Sequence, residues 1–300
     1  MTGAAEDEVV EDSRPKRKTA AASDADGDDQ EDSGSDSGSK SDDDAEAALS
    51  ASADDELVAE RKPWSLGGTL RGGFTSVAKD ITPTGASAQA ASYAGPTAGL
   101  VIDGAYAFSG SSLGLVGDVS YDWSNAGGGA TFSDNGTDQP DKIKLSHHRA
   151  GVTAGVSYGK TAVGILRAGF MFTASQISDI NNAAKLPRES TVGPTVGLGF
   201  NYAGIASGKL GIHVGADAML FGSRTQTEGS QDGADLGSLT SFWGTLGVDY
   251  LIGQHLTLGG GYRFGYEKAN WTGMSQRTTG TETDVKDQSH EISLGVGYRL

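Results

Sequence analysis

Residues 210–220 read LGIHVGADAML, and this stretch carries the pattern that decides the fold. Apolar side chains occupy every second position from Leu210 to Leu220, whereas His213 and Asp217 fall between them. Neighbouring side chains of a β-strand point to opposite faces, so one face of this segment is apolar and the other is ionisable. The segment is therefore predicted to be a strand that separates two environments.

The same alternation recurs along the chain and gives ten segments in all. Their lengths approach the roughly nine to eleven residues that a tilted strand needs to cross a bilayer. Aromatic residues stand near both ends of the segments on the apolar face, as in the two interfacial belts of a membrane barrel. The segments are 64–74, 100–108, 113–123, 152–158, 166–172, 192–202, 210–220, 242–252, 256–266 and 292–300.

The face opposite the apolar one carries charge. It holds six acids, five arginines and one histidine, and its remaining positions are mostly Gly, Ser, Thr and Ala. The alternative is a soluble β-sandwich with aromatic residues at the ends of its core, but its exposed face would not need nearly equal numbers of acidic and basic groups. In a narrow lumen, by contrast, opposite charges must pair with one another. These predicted lumen residues are Arg71, Asp103, Asp118, Asp122, Arg149, Arg167, His213, Asp217, Asp249, Arg263, Glu291 and Arg299.

The connections between the segments also alternate, between short turns and long polar stretches. The short turns are 109–111, 159–160, 204–208 and 253–254, and the long stretches include 125–141 and 223–238. Bacterial barrels have short periplasmic turns and longer outer loops, and an even strand number returns both termini to the periplasm. The sequence thus predicts an all-β domain at 63–300, a closed antiparallel up-and-down transmembrane β-barrel of about ten strands.

Residues 1–62 differ in composition from the rest of the chain. The first sixty residues carry a net charge of −15 out of the total −16, with few aromatic or β-branched side chains. Such a segment cannot bury enough surface to offset its chain entropy, which predicts a disordered acidic arm in the periplasm with an unknown partner. The near-neutral remainder has no basic stripe, so we expect no nucleic-acid binding.

Several other features are missing from the sequence. It contains no cysteine, no run of eighteen apolar residues and no recognisable cluster of metal ligands, so we expect no disulfide, transmembrane helix, metal or cofactor. Residues 1–30 contain no apolar core of a secretory signal. Either the given chain lacks its signal peptide, or its start is placed too far downstream, or the membrane location is wrong, and we expect one of the first two, with a signal peptide encoded upstream of Met1.

The C-terminal strand, SLGVGYRL at residues 293–300, resembles the assembly signal of the bacterial outer-membrane β-barrel family. The resemblance rests on Gly295, Tyr298 and Leu300, with Leu300 where phenylalanine is usual in that family. It covers residues 64–300 and implies insertion by the barrel-assembly machinery, an outer-membrane location, and contact with membrane lipid and lipopolysaccharide.

Three functions remain open on this sequence. A lumen plugged by paired charges predicts a structural or surface protein without catalysis. A thin hydrated lumen would instead make a small porin-like channel. The third hypothesis is an omptin-like surface protease, a class whose catalysis rests on an Asp pair and an Asp-His pair. Its nearest candidates here are Asp122, His147 and His148, without a second acidic pair, and the plugged barrel is the favoured prediction.

Overall fold

The computed structural model of the chain describes residues 63–177, 186–227 and 230–300, with the backbone alone at 126–130, 138–143 and 177. The predicted acidic arm, residues 1–62, lies outside the described residues. Within the described part, no helix is long and apolar enough to cross a membrane. The strands are β1 (Trp64–Pro83), β2 (Gln89–Ala107), β3 (Leu113–Asp134), β4 (Thr137–Gly159), β5 (Ala162–Ile177), β6 (Glu189–Ile205), β7 (Leu210–Met219), β8 (Ser223–Gln226), β9 (Asp235–Ile252), β10 (Leu256–Thr272) and β11 (Glu282–Arg299).

The strands close into a barrel in which sequence neighbours are also spatial neighbours. Strands that follow each other pair antiparallel, except that β7 pairs with β9 and the short β8 pairs with β6, and β1 pairs with both β2 and β11. Strands β7 and β8 both pair with β6 and form one barrel strand that is interrupted at residues 220–222. The prediction of a closed, ten-stranded, up-and-down antiparallel barrel is confirmed.

The four short connections lie at one end of the barrel, together with the start of β1 and the end of β11. They consist of residues 108–112, 160–161, 206–209 and 253–255. Gly67 on β1 pairs with Arg299 on β11, which places the two ends of the barrel chain side by side. We refer to this end as the inner end and to the opposite one as the outer end.

The long polar stretches at the outer end are mostly strand, which differs from the loops that the sequence predicts. Strands β3 and β4 run through residues 125–141 and are joined by Asn135 and Gly136 alone. Both residues have positive φ, at 51° and 74°, as a two-residue hairpin turn of the Asn-Gly kind requires. Polar residues extend a sheet readily when its outer face meets water, so the barrel wall continues beyond the apolar segments as an outer extension.

The apolar segments form a belt around the inner part of the barrel, and their large side chains point outward. Leu70 is 68% exposed, Ile292 66% and Leu294 73%. A water-soluble protein does not present so continuous an apolar surface, whereas a bilayer core solvates it. The belt thus has the inverted polarity of a transmembrane barrel.

Above the belt the polarity reverts to that of a soluble protein. On β1 the inward face carries Arg71 in the belt and Ile81 in the outer extension, where Ile81 is 1% exposed. The outward positions Asp80 and Thr82 are exposed to solvent. The inward residues of the extension pack into an outer core, formed by Ile81, Ala91, Tyr93, Phe132, Leu186, Ala269, Trp271 and Val285.

Candidate functional site: the charged lumen

A cluster of ion pairs fills the lumen at the outer part of the belt. Arg71 donates to both carboxylate oxygens of Asp122, from Nε and from Nη2, at 2.8 Å each. Arg263 donates from Nη1 to Asp122 Oδ2 at 2.8 Å and to Glu291 Oε2 at 3.2 Å. We call these four residues the belt network. A bidentate arginine is among the stronger carboxylate partners, so Asp122 is firmly held.

The belt network joins walls that are far apart around the barrel. Arg263 lies on β10 and Asp122 on β3, and β11, β1 and β2 stand between them. A neighbouring pair, Arg167 of β5 and Asp217 of β7, is also bidentate, at 2.8 and 2.6 Å, across the intervening β6. Arg263 and Asp122 therefore meet across the lumen, whereas Arg167 and Asp217 bridge a single strand of its wall.

Small residues on the inward face make room for the charged ones. A Cβ at Gly99 would lie 2.1 Å from Asp122 Oδ1, and a Cβ at Gly197 would lie 2.0 Å from Asp217 Oδ1. Both carboxylates are held by arginines and cannot move aside freely. The alternation of glycine with long charged side chains, visible in the sequence, is thus a packing requirement of this narrow lumen.

Arg149 differs from the other lumen arginines. Its guanidinium carbon lies 5.1 Å from the ring centre of Trp243, and its Nε donates to Met171 Sδ at 3.3 Å. No carboxylate lies within ion-pair distance of Arg149 among the described residues. The guanidinium therefore rests on an aromatic face and a thioether, although Asp122 and Glu291 are close enough to influence it.

The remaining predicted lumen residues lie nearer the inner end and are more loosely arranged. His213 Nδ1 is 3.3 Å from Asp249 Oδ2, and both side chains are largely exposed. Asp103 and Asp118 face each other across β2 and β3, and Asp118 accepts a hydrogen bond from the Thr153 hydroxyl. The side chain of Arg299 is exposed, and within the described residues it makes no ion pair. Among the described residues, this part of the lumen contains no cross-barrel pair comparable to that of Arg263 with Asp122.

A second group of ions, which sequence reasoning missed, lies in the outer extension. Arg224 of β8 donates to Glu267 at 2.8 Å, to Asp287 at 2.7 Å, and to Glu189. Lys79 of β1 pairs with Glu189 of β6, on the opposite wall, and lies 3.2 Å from Asp287. We call Lys79, Glu189, Arg224, Glu267 and Asp287 the outer network.

The outer network could have been found by continuing the alternation of inward and outward side chains beyond the belt segments. Lys79 lies eight residues after Arg71, Glu267 four after Arg263 and Asp287 four before Glu291, all on the inward face. The alternation was followed only to the ends of the apolar segments, at Phe74, Tyr266 and Ile292, and was not continued beyond them.

The outer network shifts the acidity of its members in opposite directions. Burial alone would raise the pKa of Glu189, but Arg224 and Lys79 outweigh it and bring the value to about 2. Burial, together with Asp287 and Glu189, raises the pKa of Glu267 despite its contact with Arg224. Three acids share two cations here, so the negative charges of Asp287 and Glu189 help to keep the pKa of Glu267 raised although Arg224 contacts it.

The outer end is tied to this network by further hydrogen bonds. The Gln226 amide donates to Glu189 at 2.8 Å and to Asp232 at 2.7 Å. Asp232 in turn pairs with Arg277 at 2.6 Å, and both side chains are 1% exposed. The connection before β9 is thereby attached to the connection between β10 and β11.

A cavity of about 120 Å³ lies among the belt network, the outer network and the outer core. Its wall combines ionic side chains from both networks with apolar ones. The apolar and aromatic part includes Val77, Tyr93, Leu145, Leu186 and Trp243. The hydroxyl of Tyr93 is buried and lacks a hydrogen-bond partner within the part of the chain that the structure describes.

The three side chains proposed for proteolysis do not form a catalytic arrangement. Asp122 is occupied by two arginines, and His148 lies on the outer surface, where its Nδ1 is 2.8 Å from the Tyr121 hydroxyl. His147 lines the cavity, and burial together with Arg149 lowers its pKa to about 4. Among the described residues, no group of three or more His, Cys, Asp or Glu is placed to hold a metal ion.

The residues of the proposed assembly signal lie in the last strand. Gly295 pairs with Arg71 of β1 and with Gly259 of β10. Tyr298 points outward and stacks on His255 with ring centres 5.4 Å apart, and Leu300 is 51% exposed. The strand is thus the element that closes the barrel, and its recognition during assembly stays a prediction.

No protein-family model and no curated protein matches the chain. Among solved structures, the outer membrane protease OmpT from Escherichia coli superposes with a TM-score of 0.53 and 9% identity, covering 80% of this chain and 98% of that chain. The translocator domain of the autotransporter NalP from Neisseria meningitidis gives a TM-score of 0.34 and 16% identity, covering 86% and 95%. The attachment invasion locus protein Ail of Yersinia pestis gives 0.29 and 12%, covering 78% and 99%.

The likeness to OmpT concerns the fold alone, since 9% identity carries no catalytic residue across. Together with the outward apolar belt, it establishes the fold as that of a bacterial outer-membrane β-barrel. The resemblance seen in the C-terminal strand is confirmed at this level.

Proposed function

We propose that the chain is an integral outer-membrane protein with a structural or surface role, whose lumen is closed and does not conduct. The observation that carries the proposal is the set of ion pairs that join opposite walls, above all Arg263 with Asp122 and Lys79 with Glu189. In an open channel, charges line the wall and leave the centre to water. Here they meet across the centre.

The outer core supports the same conclusion from an independent set of residues. Leu186 stands before β6, opposite the wall formed by β1 and β11, yet it belongs to one buried cluster with Ile81 and Val285. Apolar side chains that meet from opposite walls exclude water at the outer end. An ion crossing the barrel would have to pass both this core and the belt network.

The orientation of the barrel follows from its connections. Short turns and both ends of the barrel chain lie together, as on the periplasmic side of bacterial barrels. In this orientation the acidic arm is periplasmic, and the outer extension stands in the external medium as a rigid platform. Lipopolysaccharide then surrounds the outer rim of the belt, and the barrel-assembly machinery is the partner during insertion.

Single-channel recording tests the closed lumen directly. The refolded full chain, reconstituted in a planar bilayer, is expected to give no discrete, voltage-stable openings. A general porin reconstituted in parallel checks the bilayer. Regular openings from the chain would support the alternative, a small porin-like channel.

The surface-protease hypothesis is the weaker alternative, since Asp122 is bound to arginines and His148 faces outward. Incubation of the refolded chain with a peptide library is expected to leave the peptides intact. Cleavage that disappears in Asp122→Ala or His147→Ala would reverse this assignment.

A further inference from the structure

The cavity in the lumen contains a cation that has no ion-pair partner among the described residues. In the belt network, Arg71 and Arg263 share Asp122 and Glu291, which leaves two cations and two carboxylates in balance. Arg167 is balanced by Asp217. Arg149 is added to this balanced set without an ion-pair partner among the described residues, and it lines the cavity.

The outer network does not pair with Arg149 either. Its three acids already contact Arg224, and two of them also contact Lys79. None of the three acids lies within ion-pair distance of Arg149. The guanidinium of Arg149 therefore has no carboxylate partner among the described residues, and it lines the cavity.

Arg149 is also positioned so that its guanidinium can bind an anion in the cavity. The Trp243 face and Met171 Sδ fix the guanidinium, and neither of them is an anion. A guanidinium carries five donors, and only its Nε has a hydrogen bond within the described residues. A carboxylate is the group whose geometry matches the free edge of such a guanidinium.

A second unpaired polar atom lies on the cavity wall. Tyr93 is 7% exposed, and its hydroxyl has no hydrogen-bond partner among the described residues, although a buried hydroxyl normally finds one. The hydroxyl can donate to an oxygen of a molecule in the cavity. The same wall contains the apolar side chains of Val77, Leu145 and Leu186, which suit a hydrocarbon body.

The size of the cavity limits the ligand. An apolar cavity of about 150 Å³ is known to hold benzene, which has six non-hydrogen atoms. The volume of about 120 Å³ therefore admits about six non-hydrogen atoms, the size of a branched four-carbon acid.

From this combination we infer that the lumen cavity is a binding site for a small branched monocarboxylate, with its carboxylate on Arg149 and its hydrocarbon body against Val77, Leu145 and Leu186. The site goes beyond the structural role proposed above. It does not depend on whether the lumen conducts.

Isothermal titration calorimetry on the refolded full chain in detergent tests the site with isobutyrate as the probe. Isobutyramide has the same shape without the charge and is expected to bind about ten- to hundred-fold more weakly, the range for a lost hydrogen bond to a charged group. Acetate lacks two carbons and is expected to bind about ten-fold more weakly. Chloride is expected not to displace isobutyrate at equal concentration.

Variants separate Arg149 from the general charge of the lumen. Arg149→Met keeps the length of the side chain and is expected to weaken isobutyrate binding to the same extent as the amide probe does. Arg299→Met is the matched control, because Arg299 is a lumen arginine outside the cavity, and it is expected to bind isobutyrate as the unmodified chain does. Tyr93→Phe is expected to weaken binding by about five-fold.

The comparison of isobutyrate with isobutyramide needs no variant, so it tests whether the site recognises a carboxylate even if Arg149→Met fails to fold. Equal binding of the two probes, or no binding of isobutyrate at millimolar concentration, would overturn the proposal. Equal binding of isobutyrate, acetate and chloride would reduce the site to a nonspecific anion site and would overturn the assigned ligand. An equal loss in Arg149→Met and Arg299→Met would overturn the location.

Discussion

Asp122 holds two arginines that reach it from different walls of the barrel, so its side chain is the critical carboxylate of the belt network. In Asp122→Ala, Arg71 loses its carboxylate partner and Arg263 keeps only Glu291. Removing one partner of a buried ion pair costs about 3–5 kcal/mol. We expect a loss of this size in the free energy of unfolding, measured by urea titration in lipid vesicles.

Asp249→Ala provides the control for this measurement. Asp249 is also an inward carboxylate, but its side chain is 53% exposed and its one ion pair is a 3.3 Å contact with His213. An exposed pair contributes about 0–1 kcal/mol. If both substitutions cost the same, the cross-barrel pairs would not hold the lumen as described.

Glu189 predicts how stability depends on pH. Its pKa is lowered from 4.5 to about 2 on folding, so the unfolded chain binds its proton more tightly. The stabilisation is complete above pH 4.5 and is lost as the pH falls toward 2, and it amounts to about 3 kcal/mol. We expect Glu189→Gln to be less stable than the unmodified chain at pH 7 and to approach it near pH 2.

The exposed acid Asp80 serves as the comparison, because Asp80→Asn removes a carboxyl that faces solvent on the same extension. Its effect on stability is expected to be small throughout the titration. A difference between Glu189→Gln and the unmodified chain that stayed constant from pH 7 to pH 2 would contradict the assigned pairing of Glu189 with Arg224 and Lys79.

The sequence predicts which residues face the lumen but not which ones meet. The alternation of side chains along each strand is enough to assign Arg71 and Asp122 to the inward face, because neighbouring side chains of a strand point to opposite faces. Their pairing joins residues 51 positions apart, and that of Arg263 with Asp122 joins residues 141 apart. Such partners depend on the stagger of all strands around the barrel, which no single segment encodes.

Among the elements, the hairpin of β3 and β4 shows best where sequence reasoning stopped early. Asn135-Gly136 is a strong hairpin signal, yet residues 125–141 were interpreted as a loop because their composition is polar. In a strand that stands in water, the outer face is polar by necessity. The apolar alternation that identifies belt strands is therefore absent there, and turn chemistry is the better indicator.

The same hairpin gives a prediction at the scale of the element. Gly136 has a φ of 74°, and the left-handed region costs a residue with a Cβ about 1–2 kcal/mol. We expect Gly136→Ala to destabilise the tip of β3 and β4 by about this amount and to leave the belt intact, as measured by hydrogen exchange resolved along the chain.

Gly68→Ala is the control for the hairpin. Gly68 points outward in β1, and a Cβ there would meet nothing within 4 Å. Its substitution is expected to leave exchange unchanged at the tip. Faster exchange throughout the belt in Gly136→Ala would indicate that the extension is not a separate structural layer.

At the scale of the whole barrel, the same strands run continuously from the lipid bilayer around the belt into the water around the outer extension. In the belt the apolar side chains point outward and the ions inward, and in the outer extension the apolar side chains point inward and the polar ones outward. At the boundary between the belt and the outer extension, the same alternate positions of each strand continue to face inward. The medium outside the wall changes, and the side chains of the outward face change with it.

The measurement that tests this account most directly is a cysteine scan along β1, which is clean because the chain contains no cysteine of its own. Fluorescent labels at outward positions are exposed in turn to a lipid-soluble and to a water-soluble quencher. We expect lipid quenching at Leu66, Leu70 and Phe74, and water quenching at Ala78 and Thr82. Water quenching at all five positions in reconstituted vesicles would contradict the membrane belt and, with it, the transmembrane barrel.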